Sequence, residues 1–290
     1  MQFTKLQGAG NDFVLVVANS NQQDWSHLAK AICDRHFGIG ADGLLLLLPS
    51  KVADFRMRIF NADGSESNVC GNGLRCTIKH FLDINPDGSM NREISVETMA
   101  GIRKARLFKF KGKAIEIQTN MGEPKFGEND IPVNVRQGDG KLTGLNPIIT
   151  CSVTVYGREL PLNLVSVGNS HAIYFSQALV TDFPLSQFGP QVELHKIFPE
   201  GVNFEVARVL NRSQIEARVW ERGVGETLAC GSGACAITVA AQLLGYVDNK
   251  VNIKLPGGTL EVEWDGVGEV FLNGPAETVF TGEWLNGNPD

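Results

Sequence analysis

The chain contains an internal repeat, and this repeat limits its possible folds more than any other feature. The segment RIFNADGSESNVCGNG at 58–73 aligns without a gap on RVWERGVGETLACGSG at 218–233, an offset of 160 positions. The identities fall on an arginine, a glutamate, a cysteine and two glycines: Arg58/Arg218, Glu66/Glu226, Cys70/Cys230, Gly71/Gly231 and Gly73/Gly233. Because self-similarity of this kind marks a duplicated structural unit, the sequence predicts two halves with one architecture.

The same elements are predicted in each half. Apolar segments predict strands at FVLVV, GLLLLL and FRMRIF in the first half and at AIYF, NFEVARVL and IEARVW in the second. A cysteine bracketed by glycines then begins a helix. The second of these helices, GACAITVAAQLLGY, is apolar nearly all round, which favours an enclosed helix that ends at Gly245. The predicted fold is α+β, with two pseudo-symmetric domains, each a mostly antiparallel β-sheet or barrel wrapped around a central helix.

The length of the chain also favours two domains, because 290 residues is twice the size of a domain of about 150 residues. We expect a first domain over 1–120, completed by a C-terminal strand within 276–290, and a second domain over 121–275. The active site is expected in the cleft between them.

Composition and charge exclude several classes of protein. Lys plus Arg number 26 against 32 for Asp plus Glu, so the net charge is −6 and a basic surface for nucleic acid or anionic lipid is not expected. No apolar stretch approaches the roughly 20 residues of a membrane span, and the first residues do not resemble a secretion signal. Six cysteines are too few for a disulfide scaffold of this length. These features predict a cytoplasmic globular protein.

Cys70 and Cys230 are the candidate reacting groups. Each is predicted in the first turn of a helix, where free backbone N–H groups and the helix dipole favour a negative charge. A helix N-terminus contributes up to about 2 kcal/mol, which would lower a thiol pKa from about 8.5 to about 7. The neighbouring glycines let a substrate carboxylate approach the backbone closely.

Two thiols that face one carbon from opposite sides have the chemistry needed to invert a stereocentre. One removes a proton from one face, and the other delivers a proton to the opposite face. Only one sulfur of such a pair ionises at a time, because like charges disfavour the second ionisation. The structural alternative is that both are ordinary core cysteines, since free cysteine is among the most buried residue types. Two cysteines at matched positions in glycine-rich loops favour the catalytic interpretation.

The motifs NADGSESNVCGNG and ERGVGETLACGSG resemble the two signatures of the diaminopimelate epimerase family. The resemblance extends from GAGNDF to GPAETVF and includes GNSH and VNFE between the cysteines. It implies a cofactor-independent isomerase that interconverts LL- and meso-2,6-diaminopimelate in lysine and peptidoglycan precursor biosynthesis. It also implies a homodimer. In the family the first cysteine donates and the second accepts the proton in the LL to meso direction, so these roles map onto Cys70 and Cys230.

The resemblance assigns further roles by position. Amide and helix-start groups that would bind the substrate are Asn11, Asn61, Gly71, Asn72, Asn169, Asn203, Gly231 and Ser232. Glu221 and Arg222 match an acidic and basic pair suited to the charged ends of the substrate. His171 matches a histidine that tunes the sulfurs, although a structural histidine is the alternative. Glu221 stands at the repeat position of Asn61, and this difference could give the two thiols different proton affinities.

Three departures from the family pattern are visible. Gly43 stands where some members have glutamine, GNPH reads GNSH, and ACGTG reads ACGSG, which keeps a hydroxyl at Ser232. None of them removes a reacting group.

Other functions are less well supported by the residues. A proline or hydroxyproline racemase would keep the fold and the thiols, but Glu221 and Arg222 favour a substrate charged at both ends. A redox or binding protein with a reversible Cys70–Cys230 disulfide is an alternative from another class. GIGADG precedes a strand, so it does not predict a dinucleotide site, and no CxxC or paired histidine motif predicts zinc. We therefore expect no metal and no cofactor, and a small molecule as substrate.

Overall fold

The computed structural model describes residues 1–19, 23–67, 70–85, 93–111, 114–127, 130–134, 141–145 and 148–285. The chain forms two compact units. The first unit comprises Met1–Asn120 and Asn273–Asp290, and the second comprises Met121–Leu272.

Within the described residues, the first unit contains eight strands and two helices before the chain enters the second unit. The strands are β1 (Gln2–Gly8), β2 (Asn11–Val17), β3 (Gly43–Leu48), β4 (Phe55–Asn61), β5 (Glu66–Ser67), β6 (Glu93–Thr98), β7 (Gly101–Lys111) and β8 (Ala114–Asn120). The helices are α1 (Trp25–Cys33) and α2 (Gly71–Ile84).

The described part of the second unit contains nine further strands, two α-helices and a short 3-10 helix at Val180–Asp182. The strands are β9 (Lys141–Leu145), β10 (Ile149–Val155), β11 (Arg158–Ser166), β12 (Ser170–Phe175), β13 (Asn203–Asn211), β14 (Gln214–Glu221), β15 (Gly225–Thr227), β16 (Lys250–Leu255) and β17 (Gly258–Glu263). The helices are α3 (Leu185–Glu193) and α4 (Gly231–Leu243). Strand β18 (Phe271–Glu283) begins in the second unit and returns the chain to the first.

The pairings of the first unit form a closed ring of eight strands. Around the ring the order is β8, β18, β1, β2, β3, β4, β6 and β7, and β7 pairs in turn with β8. Helix α2 contacts β1, β2, β3, β4 and β8 and is therefore the central helix of a barrel. Only β2–β3 and β4–β6 are parallel among the pairs whose register is described.

The second unit repeats most of this order: β10, β11, β12, β13, β14, β16 and β17 pair in turn as β18, β1, β2, β3, β4, β6 and β7 do in the first unit, and β9 pairs with β10. Helix α4 contacts β11, β12, β13, β16 and β17. The predicted fold, a mostly antiparallel sheet wrapped around a central helix and made twice, is confirmed.

The duplication extends beyond the segment in which it is visible in the sequence. Helices α1 (25–33) and α3 (185–193) have the same offset of 160 positions, although their sequences share little. The pair Phe60↔Leu44 and the pair Trp220↔Phe204 have the same register in the two units. Packing and register therefore preserve the repeat where side chains have diverged.

The leucine run of β3 is explained by burial on both faces of the strand. Leu45 and Leu47 face the core around α2, whereas Leu44, Leu46 and Leu48 face a second core beside α1. A strand covered on both sides has no polar face, so its sequence does not alternate. The predicted strand is confirmed, as are the other five.

Helix α4 confirms the expectation of an enclosed helix. All residues from Gly233 to Ala241 are buried. Gly245 follows the C-cap residue Leu244 and has a φ of 74°, so it adopts the left-handed conformation that ends many helices. Within the described residues, no helix is long and apolar enough to cross a membrane.

Candidate active site

Cys70 and Cys230 occupy the same position in the two units. Each is the N-cap residue of its central helix, with extended backbone angles. The Cys70 sulfur accepts a hydrogen bond from the Gly73 N–H (3.4 Å), and the Cys230 sulfur accepts one from the Gly233 N–H (3.4 Å). The N-cap is a position where an electronegative side-chain atom satisfies free helix donors. Both sulfurs are therefore held against the positive ends of α2 and α4.

An ion pair beside each cysteine explains two of the repeat identities. Arg58 forms a two-pronged contact with Glu66 through Nε (2.6 Å) and NH2 (2.8 Å). Arg218 forms the same contact with Glu226 through Nε (2.8 Å) and NH2 (2.9 Å). These pairs join β4 to β5 and β14 to β15 and so fix the start of the segment that leads to each cysteine. Their role is structural.

Three of the predicted residues of the first unit lie in one hydrogen-bonded group. Asn11 Oδ1 accepts a hydrogen bond from Asn72 Nδ2 (3.2 Å) and lies 3.9 Å from Cys70 Sγ. Asn11 Nδ2 donates to Asp42 Oδ2 (2.6 Å), so Asp42 fixes the direction of the Asn11 amide. Arg75 is fully buried and donates to Asn72 Oδ1. Sequence reasoning missed the supporting roles of Asp42 and Arg75.

Asn61 lies at the end of β4, where its Nδ2 donates to Ser65 Oγ (2.9 Å). Gly71 is the first residue of α2 and Gly231 is the first residue of α4. Ser232 Oγ lies 3.5 Å from Cys230 Sγ. The hydroxyl that remains in ACGSG is thus beside the second sulfur.

His171 and Glu205 form a buried pair in the second unit. Both side chains have no exposed surface, and His171 Nδ1 lies 2.6 Å from Glu205 Oε1. The other ring nitrogen, Nε2, lies 2.9 Å from Asn169 Oδ1. Burial raises the pKa of the Glu205 carboxyl, and the imidazole only partly offsets this effect. His171 is therefore tied to Asn169 on one side and to an acid on the other.

Glu205 is the last residue of the VNFE motif, but sequence reasoning assigned it no role. It lies on β13 within NFEVARVL, where the residues from Asn203 to Ala207 are all buried. The polar and apolar residues of this strand do not alternate, so the sequence does not show on which face of the sheet Glu205 lies. The available signal is its type: a carboxylate in a buried strand is costly unless it is paired or protonated. The repeat offers a second signal, because offset 160 places Glu205 on Leu45.

The surroundings of Cys230 correct the predicted effect of the helix dipole on its pKa. Burial raises the pKa of this thiol well above its ordinary value, and the acidic side chains of Glu221 and Glu205 raise it further. The hydrogen bonds from Ser232 and the Gly233 N–H act in the opposite direction but are outweighed. The expectation of a thiol pKa near 7 is wrong for Cys230, because burial destabilises the thiolate more than the helix N-terminus stabilises it.

Glu221 lies at the end of β14 and accepts a hydrogen bond from Thr227 Oγ1 (2.5 Å). Burial raises the pKa of its carboxyl, and hydrogen bonds with Thr227 and Cys230 lower it in part. Glu221 and Cys230 are thus two proton-binding groups in direct contact. Loss of one proton from this pair leaves a single negative charge that either group can carry.

Asn203 and Arg222 are held by backbone contacts. Asn203 Nδ2 donates to Ser170 O (2.9 Å), and its Oδ1 accepts from the Arg222 N–H (3.0 Å). Arg222 NH1 donates to Glu200 O (2.8 Å). Asn203 therefore fixes the turn that follows Glu221, whereas the exposed Arg222 side chain lies against Glu200 and Gly201.

Gly43 is required by the backbone of β3. A Cβ at this position would lie 2.8 Å from Phe60 O on the neighbouring strand.

The described residues include no group of three or more histidine, cysteine or acidic side chains that could hold a metal ion. Cys76 and Cys235 are buried within α2 and α4, and Cys33 and Cys151 are buried elsewhere.

Comparison with known proteins gives one consistent result. The model of the family described as diaminopimelate epimerase matches residues 3–127 and 163–279. A diaminopimelate epimerase from Methanococcus maripaludis is 42% identical over 285 residues, which is 98% of this chain and 99% of that protein. A diaminopimelate epimerase from Acetivibrio thermocellus is 44% identical over 286 residues, 98% of each chain.

A solved structure also resembles the fold of this chain. The probable proline racemase from Agrobacterium radiobacter superposes with a TM-score of 0.71, covering 100% of this chain and 94% of that one. Only 15% of the residues are identical, so this likeness concerns the fold alone.

Proposed function

The chain belongs to the diaminopimelate epimerase family, and from this premise we propose that it interconverts LL- and meso-2,6-diaminopimelate by proton transfer between two thiols. One observation carries the proposal: Cys70 and Cys230 are the N-caps of equivalent central helices in the two units. The duplicated fold supplies two similar acid/base groups. A single stereocentre needs two such groups, one for each face.

The reaction begins with one sulfur as thiolate and the other as thiol. The thiolate takes the α-proton, the C–H bond breaks, and its electron pair is delocalised into the adjacent carboxylate. The thiol then gives its proton to the opposite face of the same carbon. Each sulfur ends in the state in which the other began, so the reverse direction uses the same groups with exchanged roles. The two thiols perform both proton transfers, and the proposed reaction therefore needs no cofactor.

The contact between Glu221 and Cys230 provides a way to generate the second thiolate. Burial raises the pKa values of both groups, and the two side chains are in hydrogen-bond contact. When Cys230 acts as the base, Glu221 can hold the proton that the thiol gives up. When Cys230 acts as the acid, the neighbouring acidic groups favour its protonated form.

The substrate carboxylate at the reacting carbon is proposed to bind the first N–H groups of α2 and α4. Gly71, Asn72, Gly231 and Ser232 provide these groups, and the absence of large side chains allows close approach. Hydrogen bonds from a helix N-terminus stabilise charge that moves into the carboxylate in the transition state. The side-chain amides of Asn11, Asn61, Asn169 and Asn203 and the Glu221–Arg222 pair are proposed to bind the other polar groups of the substrate.

The test is proton NMR of the reduced enzyme in deuterium oxide with LL-diaminopimelate. We expect the α-proton signal to disappear and the meso isomer to form, whereas proline and hydroxyproline should not exchange. Exchange with proline alone would favour the racemase alternative. Activity that appears only after oxidation would favour a redox protein.

The thiols are assigned by substitution. Cys70→Ala and Cys230→Ala should each abolish epimerisation. Cys76→Ala and Cys235→Ala are matched controls, because these cysteines lie within the same two helices and not at their N-caps. Full activity of either Cys70→Ala or Cys230→Ala would contradict the two-thiol mechanism.

We also propose that the enzyme acts in the cytoplasm as a homodimer. All six cysteines are thiols and not disulfides in the structure, which is consistent with a reducing compartment. Size-exclusion chromatography with light scattering tests the dimer, for which a mass twice that of the 31.5 kDa chain is expected.

A further inference from the structure

The two copies of the site differ systematically in charge. Three titratable side chains form one cluster beside Cys230: Glu221 and Glu205 act on the thiol, and His171 pairs with Glu205. At offset 160 the first unit has Asn11, Leu45 and Asn61 in their places. All three residues of the first unit are neutral, so at these three positions the second unit has proton-binding side chains that the first unit lacks.

Glu205 and Leu45 also occupy equivalent positions in space. A Cβ added to Gly233 would lie 3.0 Å from Glu205 Oε1 and 3.4 Å from Cys230 Sγ. A Cβ added to the equivalent Gly73 would lie 3.0 Å from Leu45 Cδ2. The Glu205 carboxyl group therefore lies next to the helix start that holds Cys230.

A net negative charge in a fully buried pair is costly, so a Glu205–His171 pair that carries two protons, one of them shared between the two side chains, is favoured. The shared proton lies between Oε1 and Nδ1, 2.6 Å apart. The pair is then either a carboxylic acid with a neutral imidazole or a carboxylate with an imidazolium. In both forms the other ring nitrogen, Nε2, carries a hydrogen.

The hydrogen on Nε2 determines the direction of the Asn169 amide. Nε2 lies 2.9 Å from Asn169 Oδ1, and only the amide oxygen can accept a hydrogen bond from an N–H group. The Asn169 NH₂ group is consequently turned away from His171. Asn169 is half-buried, so this donor group can reach a ligand.

We propose that Glu205 is a positioning residue: it keeps a shared proton on the Glu205–His171 pair and thereby presents the Asn169 NH₂ group to the second carboxylate of the substrate, the one remote from the reacting carbon. This inference rests on the proposed function for the identity of the substrate. The pair itself is a property of the folded second unit and is measurable without substrate.

The first experiment is nitrogen-15 NMR of the histidine side chains in the wild-type enzyme. We expect His171 Nε2 to be protonated across pH 6 to 8 and Nδ1 to have a strongly hydrogen-bonded proton at low field. An unprotonated Nε2 at pH 7 would overturn the proposal, because Asn169 would then turn its NH₂ group toward the ring. This outcome does not depend on any activity assay.

The second experiment is a double-mutant cycle in which two residues of the second unit are replaced by the residues at the equivalent positions of the first unit. Glu205→Leu copies Leu45, and His171→Asn copies Asn11. We expect Glu205→Leu to lower kcat/KM about tenfold or more, since orientation of a site group is lost. The double variant should be no slower than His171→Asn alone, because Glu205 acts through His171.

The controls separate this role from a general effect on folding. Glu216→Gln removes an acid from the neighbouring strand, where it faces Lys254 at 3.6 Å, and should leave kcat/KM unchanged. Losses that multiply in the double variant would overturn the proposal, as would full activity of Glu205→Leu. If Glu205→Leu does not fold, the double variant and the wild-type NMR spectrum still decide the question. Failure of the wild-type enzyme on diaminopimelate would count against the proposed function only.

Discussion

Gly233→Ala is the substitution whose effect follows most directly from the geometry of the site. Its Cβ would lie 3.0 Å from Glu205 Oε1, 3.3 Å from Cys230 Cβ and 3.4 Å from Cys230 Sγ. The carboxyl group is fully buried and bonded to His171, so it cannot rotate away as the end of an exposed side chain would. The pair must shift by a few tenths of an ångström.

Two opposing terms set the change in stability. Alanine is favoured over glycine inside a helix by about 1 kcal/mol, and overpacking of a core costs about 1–3 kcal/mol. We expect a net loss of about 0–2 kcal/mol for Gly233→Ala. The effect on catalysis should be larger, because small displacements of acid/base groups are expensive: about threefold to tenfold in kcat for a few tenths of an ångström.

Gly73→Ala is the matched control in the first unit. Its Cβ would meet the ends of two flexible side chains, Leu45 Cδ2 at 3.0 Å and Ile59 Cδ1 at 3.3 Å. We expect a smaller loss of kcat and a stability within about 1 kcal/mol of the wild type. The assays are urea unfolding and α-proton exchange in both directions. Equal losses of kcat in the two variants would refute the reasoning, because the loss would then come from a methyl group in the first turn of either helix and not from its contact with Glu205.

Three further outcomes are expected. Glu221→Gln removes an acid that raises the pKa of the Cys230 thiol, so alkylation of Cys230 by iodoacetamide should begin at lower pH; an unchanged pH profile would contradict this role. Arg218→Lys loses the bidentate contact with Glu226 and the hydrogen bonds to two backbone carbonyls, so the free energy of unfolding should fall by about 2 kcal/mol. The exposed Arg212→Lys is the control and should change it hardly at all. Burial raises the pKa of Asp12, but its basic partners Lys5 and Arg35 outweigh this effect, so the pKa is lowered in the folded state. The stabilisation that Asp12 gives the folded protein is therefore lost as the pH falls through this lowered pKa. In Asp12→Asn the free energy of unfolding should fall less steeply with decreasing pH.

The sequence by itself determined the duplication, the position of both thiols and the class of fold. These features depend on local patterns: a repeated motif, apolar segments of strand length, and glycines that bracket a cysteine at a helix start. Local backbone preferences also place the cysteines at the N-caps of α2 and α4, because such positions are set by the residues on either side.

Tertiary structure alone decided which groups surround each sulfur. Glu205 is far from Cys230 in the chain and shares no motif with it, yet β13 brings its carboxyl group beside the start of α4. Burial then reverses the effect that the helix dipole was expected to have on the Cys230 pKa. Proton affinity depends on the distance to water and to other charges, and both distances are set by the packing of segments that are remote in sequence.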